Sequence, residues 1–176
     1  MTRPAARGDA RGAGQSLVEF ALVLPLFLTI LIGMVDVGRA IWANNVIANA
    51  AREAARYAIV HGGTSTNTCP VGPPVTTGSN RTVIPVASTS CPYPSPSKEG
   101  IRDAARNFAI AAGFPVTIYV CYGINCSDDT DITGATNARG TPVTVRVASQ
   151  VPMIVPRLVG ITSLNVDATS SMLVSH

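Results

Sequence analysis

Gly14-Gln15-Ser16-Leu17-Val18-Glu19-Phe20-Ala21-Leu22-Val23-Leu24-Pro25 opens an apolar run that continues without a charge from Phe20 to Val35. Sixteen residues at 1.5 Å each rise about 24 Å, slightly less than the roughly 30 Å hydrocarbon core of a bilayer. Gln15–Glu19 and Asp36–Ala40 make up the difference when their polar ends reach for the interface. This stretch decides the fold: residues 15–35 read as a membrane anchor. Glu19 at its mouth is unusual, because a carboxylate costs roughly 2.5–3.5 kcal/mol at a bilayer centre and less near the edge. Pro25 removes the hydrogen bond to the Ala21 carbonyl, which predicts a kink or a local loosening.

Charge on either side gives the expected orientation. Arg3, Arg7 and Arg11 precede the run against Asp9 alone, and the first cation after it is Arg39, opposed by Asp36. The positive-inside rule then places residues 1–14 in the cytoplasm as a leader, with the rest of the chain outside the membrane. All four cysteines fall on that outer side, where disulfides persist. Four cysteines allow three pairings; Cys121–Cys126 is favoured by proximity in sequence, which leaves Cys69–Cys91. Free thiols are the alternative. Charged residues make up 13% of the chain, about half the usual share, and the net charge is only +3. The cations are scattered and aromatics are few, so nucleic acid is not an expected partner.

The helical pattern does not stop at the membrane. Ala43, Ala48, Ala50, Ala51, Ala54, Ala55 and Ala58 keep it going to Val60, and Trp42 falls where an interfacial aromatic belongs. A helix over 15–60 is about 69 Å long; a break near Gly38 is the alternative. Small residues on this face would permit close contact between helices. Residues 61–97 then change character, with seven of the thirteen prolines and a high Ser/Thr content. They read as a long extracytoplasmic loop, with a short strand at Thr82–Ala87 and a Cys69–Cys91 tether.

Residues 98–176 read as a small α+β domain. A helix over 98–112 has Ser97 as N-cap and Ile101, Ala104, Ala105, Phe108 and Ala112 on one face, and Gly113-Phe114-Pro115 ends it. Three period-two patterns follow, around Val116–Tyr122, Val143–Val147 and Leu164–Met172. They predict a three-stranded antiparallel meander with the 98–112 helix packed on it. The expected fold class is therefore α+β: a long N-terminal transmembrane helix followed by one helix and a three-stranded sheet.

The chain offers little for catalysis. Its only histidines are His61 and His176, and it has no nucleophile elbow, P-loop or dinucleotide fingerprint. Asp129-Thr130-Asp131-Ile132-Thr133-Gly134 starts like a calcium loop, but position 12 is Gly140 instead of a bidentate Glu, so a polar turn is the better reading. No C-x-x-C pair suggests zinc. No catalytic residue, metal or cofactor is expected.

Arg11-Gly-Ala-Gly-Gln-Ser-Leu-Val-Glu-Phe-Ala-Leu-Val-Leu-Pro25, together with Ala50-Ala-Arg-Glu-Ala-Ala-Arg56, resembles the TadE-like family of tight-adherence (Flp-type) pilus systems over about residues 11–60. The resemblance implies a minor pilin or pseudopilin. A prepilin peptidase would cut between Gly14 and Gln15, making Glu19 the fifth mature residue, and Glu19 would pair with the N-terminal amine of a neighbouring subunit during assembly. The implied partners are that peptidase, other pilin-like subunits, the inner-membrane assembly platform and the lipid bilayer, with incorporation into a surface pilus. Gln15 departs from the apolar first residue common in major pilins, and 62–97 matches no family pattern. An uncleaved signal anchor, a secreted form cut near Gly38-Arg39-Ala40, and a permanently anchored binding or adhesion module are the alternatives.

Overall fold

The structure, a computed structural model, describes residues 10–63, 69–73, 97–110, 113–155, 157, 160 and 162–175, with 10–13 described by backbone alone. Helix α1 runs without a break from Ala10 to Val60, 51 residues and about 76 Å. Gly38 does not interrupt it, since alanine-rich sequence follows on the same helix and outweighs one weak helix former. Helix α2 spans Glu99–Ala109, shorter than the periodicity suggests. The Ser97 hydroxyl accepts the Glu99 N–H at 3.1 Å, and Gly113, at a φ of +71°, turns the chain away afterwards.

Three strands follow: β1 (Val116–Tyr122), β2 (Pro142–Pro152) and β3 (Ser163–Leu173). They form an antiparallel sheet in the order β1-β2-β3, with Val120 opposite Val145 and Val145 opposite Ser170. The chain is thus α+β, a long apolar N-terminal helix joined to one further helix and a three-stranded meander, as its patterning predicts.

The packing differs from expectation in one respect. α2 is not the only cover of the sheet. The second half of α1 lies on it as well, with Ile47, Ala50, Ala54 and Ala58 fully buried in one cluster with Val120, Val143, Val145 and Val147 of the sheet and Ile101 and Ala105 of α2. The alanine face that suggests a helix–helix assembly surface is consumed inside the protein's own core. Small side chains bring the α1 backbone close to a valine-rich sheet, and the valines fill the gap.

Dimensions match along the packed length. From Asp36 to Ile59 the helix rises about 35 Å, and an eleven-residue strand spans about 36 Å. β3 therefore runs alongside α1 from one end of the domain to the other. At the far end the Ser175 N–H and hydroxyl both donate to the Ile59 carbonyl, at 3.1 and 2.9 Å. At the near end the β2–β3 turn meets Asp36. α2 is antiparallel to α1: Gly100 lies against Tyr57, whereas Phe114, just beyond α2, lies against Trp42. Phe114, Ile154 and Val155 therefore share the end of the domain nearest the anchor.

The described ends of the 61–97 loop converge at the opposite end. Val71 N–H donates to the His61 carbonyl at 2.8 Å, Val71 bridges Ser97, and the Asn137 amide donates to the Val71 carbonyl at 3.1 Å. Cys69 is disulfide-bonded. The expected partner Cys91 and the expected strand at Thr82–Ala87 lie outside the described residues. Cys121 and Cys126 are bonded to each other, Cα atoms 5.5 Å apart, as their proximity suggests.

The buried alanine face makes a direct prediction. Ala54→Leu inserts three carbons where there is no room and should lower stability by about 1–3 kcal/mol. Arg52→Leu, on the exposed face of the same turn, should change it by about 0.5 kcal/mol or less. Urea titration of the detergent-solubilised chain measures both. Equal, small effects would show that the alanine face is not packed against the sheet.

Candidate functional site: the anchor helix and its junction with the domain

Between Gly14 and Val35 the side chains of α1 touch little else in the chain. Leu22 is 73% exposed and Met34 70%. The most apolar 18-residue window of this helix is covered by nothing in the protein. An uncovered apolar window of 18 residues is unstable against water but stable against lipid, and α1 is the one helix among the described residues long and apolar enough to cross a membrane.

The predicted site residues occupy the start of this segment. Gly14 and Gln15 lie within α1, whose first helical residue is Ala10. A Cβ built on Gly14 would meet nothing within 4 Å, so this glycine is not required by packing within the chain. Gln15 Nε2 donates to Glu19 Oε1 at 3.4 Å, the i,i+4 reach of a helix face. The Glu19 side chain is exposed, and among the described residues no cation pairs with it. Residues 15 and 19 are thus brought together, one turn apart, at the mouth of the apolar run. Six residues on, Pro25 sits within the continuous helix, and the Thr29 hydroxyl donates to its carbonyl at 2.8 Å.

At the other end of the run stands a residue that the sequence presents as a mere flanking charge. Asp36 is 2% exposed. Its Oδ2 accepts the backbone N–H groups of Ile154 and Val155, at 2.9 and 2.8 Å, across 118 and 119 residues of chain. Oδ1 is buried too and has no hydrogen-bond partner among the described residues. Hydrogen bonds to an acidic side chain contribute on the order of 1.5–3 kcal/mol each when the acceptor is charged. Beside this contact Phe114 is edge-on to Trp42, ring centres 6.3 Å apart, and the Arg39 guanidinium sits 6.0 Å from the Phe114 ring centre. One turn and a half of α1 therefore holds both near-end turns of the domain.

The calcium-like loop has a different use. Asp129 Oδ1 accepts the Val120 N–H at 2.6 Å, and Asp131 Oδ1 accepts the Tyr122 N–H at 2.8 Å. These are amides of β1, an edge strand of the sheet. Lys98 pairs with Asp131 at 2.9 Å, and Arg102 pairs with Asp129. The two carboxylates cover a sheet edge and tie it to the start of α2, with both acids committed to amides and cations of the chain. Tyr122, between them, is fully buried, and its hydroxyl has no partner among the described residues.

The open face of the sheet carries a shallow trough of about 420 Å³. Arg146 crosses it, its guanidinium 6.0 Å from the Tyr119 ring centre and its Nε 3.2 Å from Asp167 Oδ2. The Ser149 hydroxyl at the rim of the trough donates to the Pro115 carbonyl at 2.9 Å.

Residues 14–56 match the family model described as TadE-like protein. The match covers roughly a quarter of the chain. The match begins at Gly14 and ends at Arg56, so it covers the uncovered apolar helix, Glu19, Asp36 and most of the alanine face. No curated protein and no solved structure matches the chain. The matched segment is thus one helix with two environments, uncovered at first and then built into the domain's core.

Tyr122 supplies a pH-dependent test of the domain. Burial, and secondarily the nearby Asp131 charge, hold its phenol well above the ordinary tyrosine value. The folded state therefore keeps this proton more tightly than the unfolded state. The associated stability is intact below about pH 10 and is lost as pH rises further. Tyr122→Phe removes a buried hydroxyl that has no partner among the described residues, so stability at about pH 8 should be unchanged or higher by about 1 kcal/mol. The decline toward about pH 11 should become shallower than in the wild type. A loss of more than about 2 kcal/mol at neutral pH would mean that the hydroxyl has a structural partner.

Proposed function

We propose that this chain is a pilin-like subunit, a minor pilin or pseudopilin, that acts in the assembly of a tight-adherence-type pilus. Its role is structural. In this reading the N-terminus is cytoplasmic, α1 crosses the inner membrane once, and the α+β domain is extracytoplasmic. The observation that carries the proposal is the exposed Glu19 carboxylate, without a cation among the described residues, at the mouth of an uncovered apolar helix within the TadE-like segment. A charge in that position is costly while single and strong when paired in low dielectric, so it can set the register between subunits.

Cleavage between Gly14 and Gln15 would create the partner. The new ammonium group of Gln15 is the cation that a neighbouring subunit's Glu19 lacks. Because the fold does not use the Gly14 position sterically, a substitution there disturbs recognition by a prepilin peptidase and leaves the domain intact. The remaining partners in this reading are related pilin-like subunits and the assembly platform in the membrane.

A second reading, a permanently anchored binding or adhesion module, draws on one observation. α1 begins at Ala10, so the Gly14–Gln15 peptide bond lies inside a helix that a peptidase must first unwind. The mass of the membrane form separates the two. A mature chain starting at Gln15 supports the pilin route, and Gly14→Leu should retain residues 1–14 while the domain still folds. A wild-type chain that starts at Met1 or Thr2 would overturn processing. Glu19→Ala should lose incorporation into pilus complexes by at least about tenfold, the equivalent of about 1.4 kcal/mol per contact. Incorporation at the wild-type level would rule out pairing through Glu19.

A further inference from the structure

The β2–β3 turn is unusually apolar for a connection between two strands. From Pro152 to Thr162 the sequence carries one charge, Arg157. Ile154 at its start is 52% exposed. Such a turn would ordinarily be polar and at the surface, with its amides open to water. Here the Ile154 and Val155 amides instead point inward, to a carboxylate that is almost wholly buried.

The position of that carboxylate gives the arrangement its meaning. Asp36 is the first residue after the uncharged run Phe20–Val35, which by itself is shorter than a hydrocarbon core. It therefore sits at the lipid boundary of any bilayer that α1 crosses. Backbone at that depth is tolerated only when its polar groups are satisfied within the protein. The turn meets this condition: its amides are turned to Asp36 and an apolar side chain is turned out. The neighbouring turn matches it. Ile110 is 74% exposed, and Phe114 packs between Trp42 and Arg39, less than about 10 Å further along α1 and hence within the interfacial layer. Apolar and aromatic side chains with nearby arginines are the composition of an interfacial contact with lipid. Ile124, equally exposed at the opposite end of the domain, is followed within four residues by Asn125, Ser127 and Asp128 and has no such setting.

We propose that Ile154 and Val155 at the start of the β2–β3 turn, with Ile110 and Phe114 beside them, form a second membrane contact, a foot that rests in the interfacial layer of the same bilayer on the domain's side, with Asp36 holding Ile154 and Val155 at that depth. The occupant of this surface is lipid. The inference rests on α1 as a membrane anchor and is independent of cleavage or pilus assembly. Its consequence is mechanical: the domain is fixed on the membrane by two points instead of swinging on one helix, and extraction of the subunit from the bilayer must release the foot as well as the helix.

The test uses the full chain in vesicles of phosphatidylethanolamine and phosphatidylglycerol carrying bromine near the acyl carbonyl. Trp42 is the single native tryptophan, and its quenching reports the anchor. A Trp42→Phe, Ile154→Trp chain places the only indole on the foot, and Trp42→Phe, Ile124→Trp places it at the far end as a control for the indole's own affinity for interfaces. Position 154 should show blue-shifted emission and quenching comparable to that of Trp42, and position 124 neither. Adding Asp36→Ala should abolish most of the quenching at 154 while Trp42 in an otherwise native Asp36→Ala chain stays quenched. Asp36→Asn, which keeps an oxygen acceptor, should retain it. An unquenched, water-exposed indole at 154 beside a quenched Trp42 would overturn the foot. A blue-shifted but unquenched one would overturn it in favour of a contact with another protein copy. Quenching at 154 that survives Asp36→Ala unchanged would remove Asp36 from the mechanism. Absence of quenching at Trp42 itself would overturn the anchor and the foot together.

Discussion

Between Val35 and Ala43 the surroundings of α1 change from a medium outside the protein to the protein's own core, and every other element is placed by that change. Before it, none of the described side chains of the helix is buried. After it, one face is sealed against sheet and helix while Arg52 and Arg56 keep the opposite face polar. A helix that stays continuous through such a boundary cannot bend to suit the domain, so the domain is built to fit the helix. The matched lengths of β3 and the packed half of α1, and the ties at Asp36 and at Ile59, follow from this constraint.

Asp36 is the hinge of the arrangement. Its carboxylate takes two amides from a turn more than a hundred residues away, and its second oxygen, also buried, has no partner among the described residues. Unsatisfied buried acceptors are rare in folded proteins and are usually explained by function or by water. The energetic logic resembles that at Glu19, the other acid of the helix, but with the opposite solution. Asp36 finds its partners inside the chain, whereas Glu19 is left facing outward. Two carboxylates flank one apolar run, one closing the junction with the domain and one open to whatever meets the helix at its other end.

The fold class was largely legible because it rests on period. The uncharged run, the alanine-rich continuation and the three alternating strands each specify their element through spacing alone, and each appears within a few residues of its expected bounds. The partner of the alanine face was not legible in the same way. Ala50, Ala54 and Ala58 at helical spacing declare a face that is covered, and nothing in the spacing distinguishes another subunit from the protein's own sheet. The sheet reads as needing a cover, and α2 is short and nearest in sequence. That α1 supplies part of it depends on a contact across more than ninety residues, which no local pattern encodes.

The candidate site divides along the same line. The expectation placed on Gly14, Gln15 and Glu19 rests on a contiguous motif, and the TadE-like match starts at the first of them. Asp36, Asp129 and Asp131 take their meaning from remote amides, so in sequence they look like a flanking charge and an incomplete calcium loop. A trace of Asp36 was nevertheless present. Ala43, Ile47, Ala50, Ala54 and Ala58 define the buried stripe of α1, and the same heptad step taken backward from Ala43 lands on Asp36. An acid in register with a core stripe is an expensive residue that must have a partner in the fold. Followed that way, the periodicity that identifies the helix also identifies the point where the rest of the protein is fastened to it.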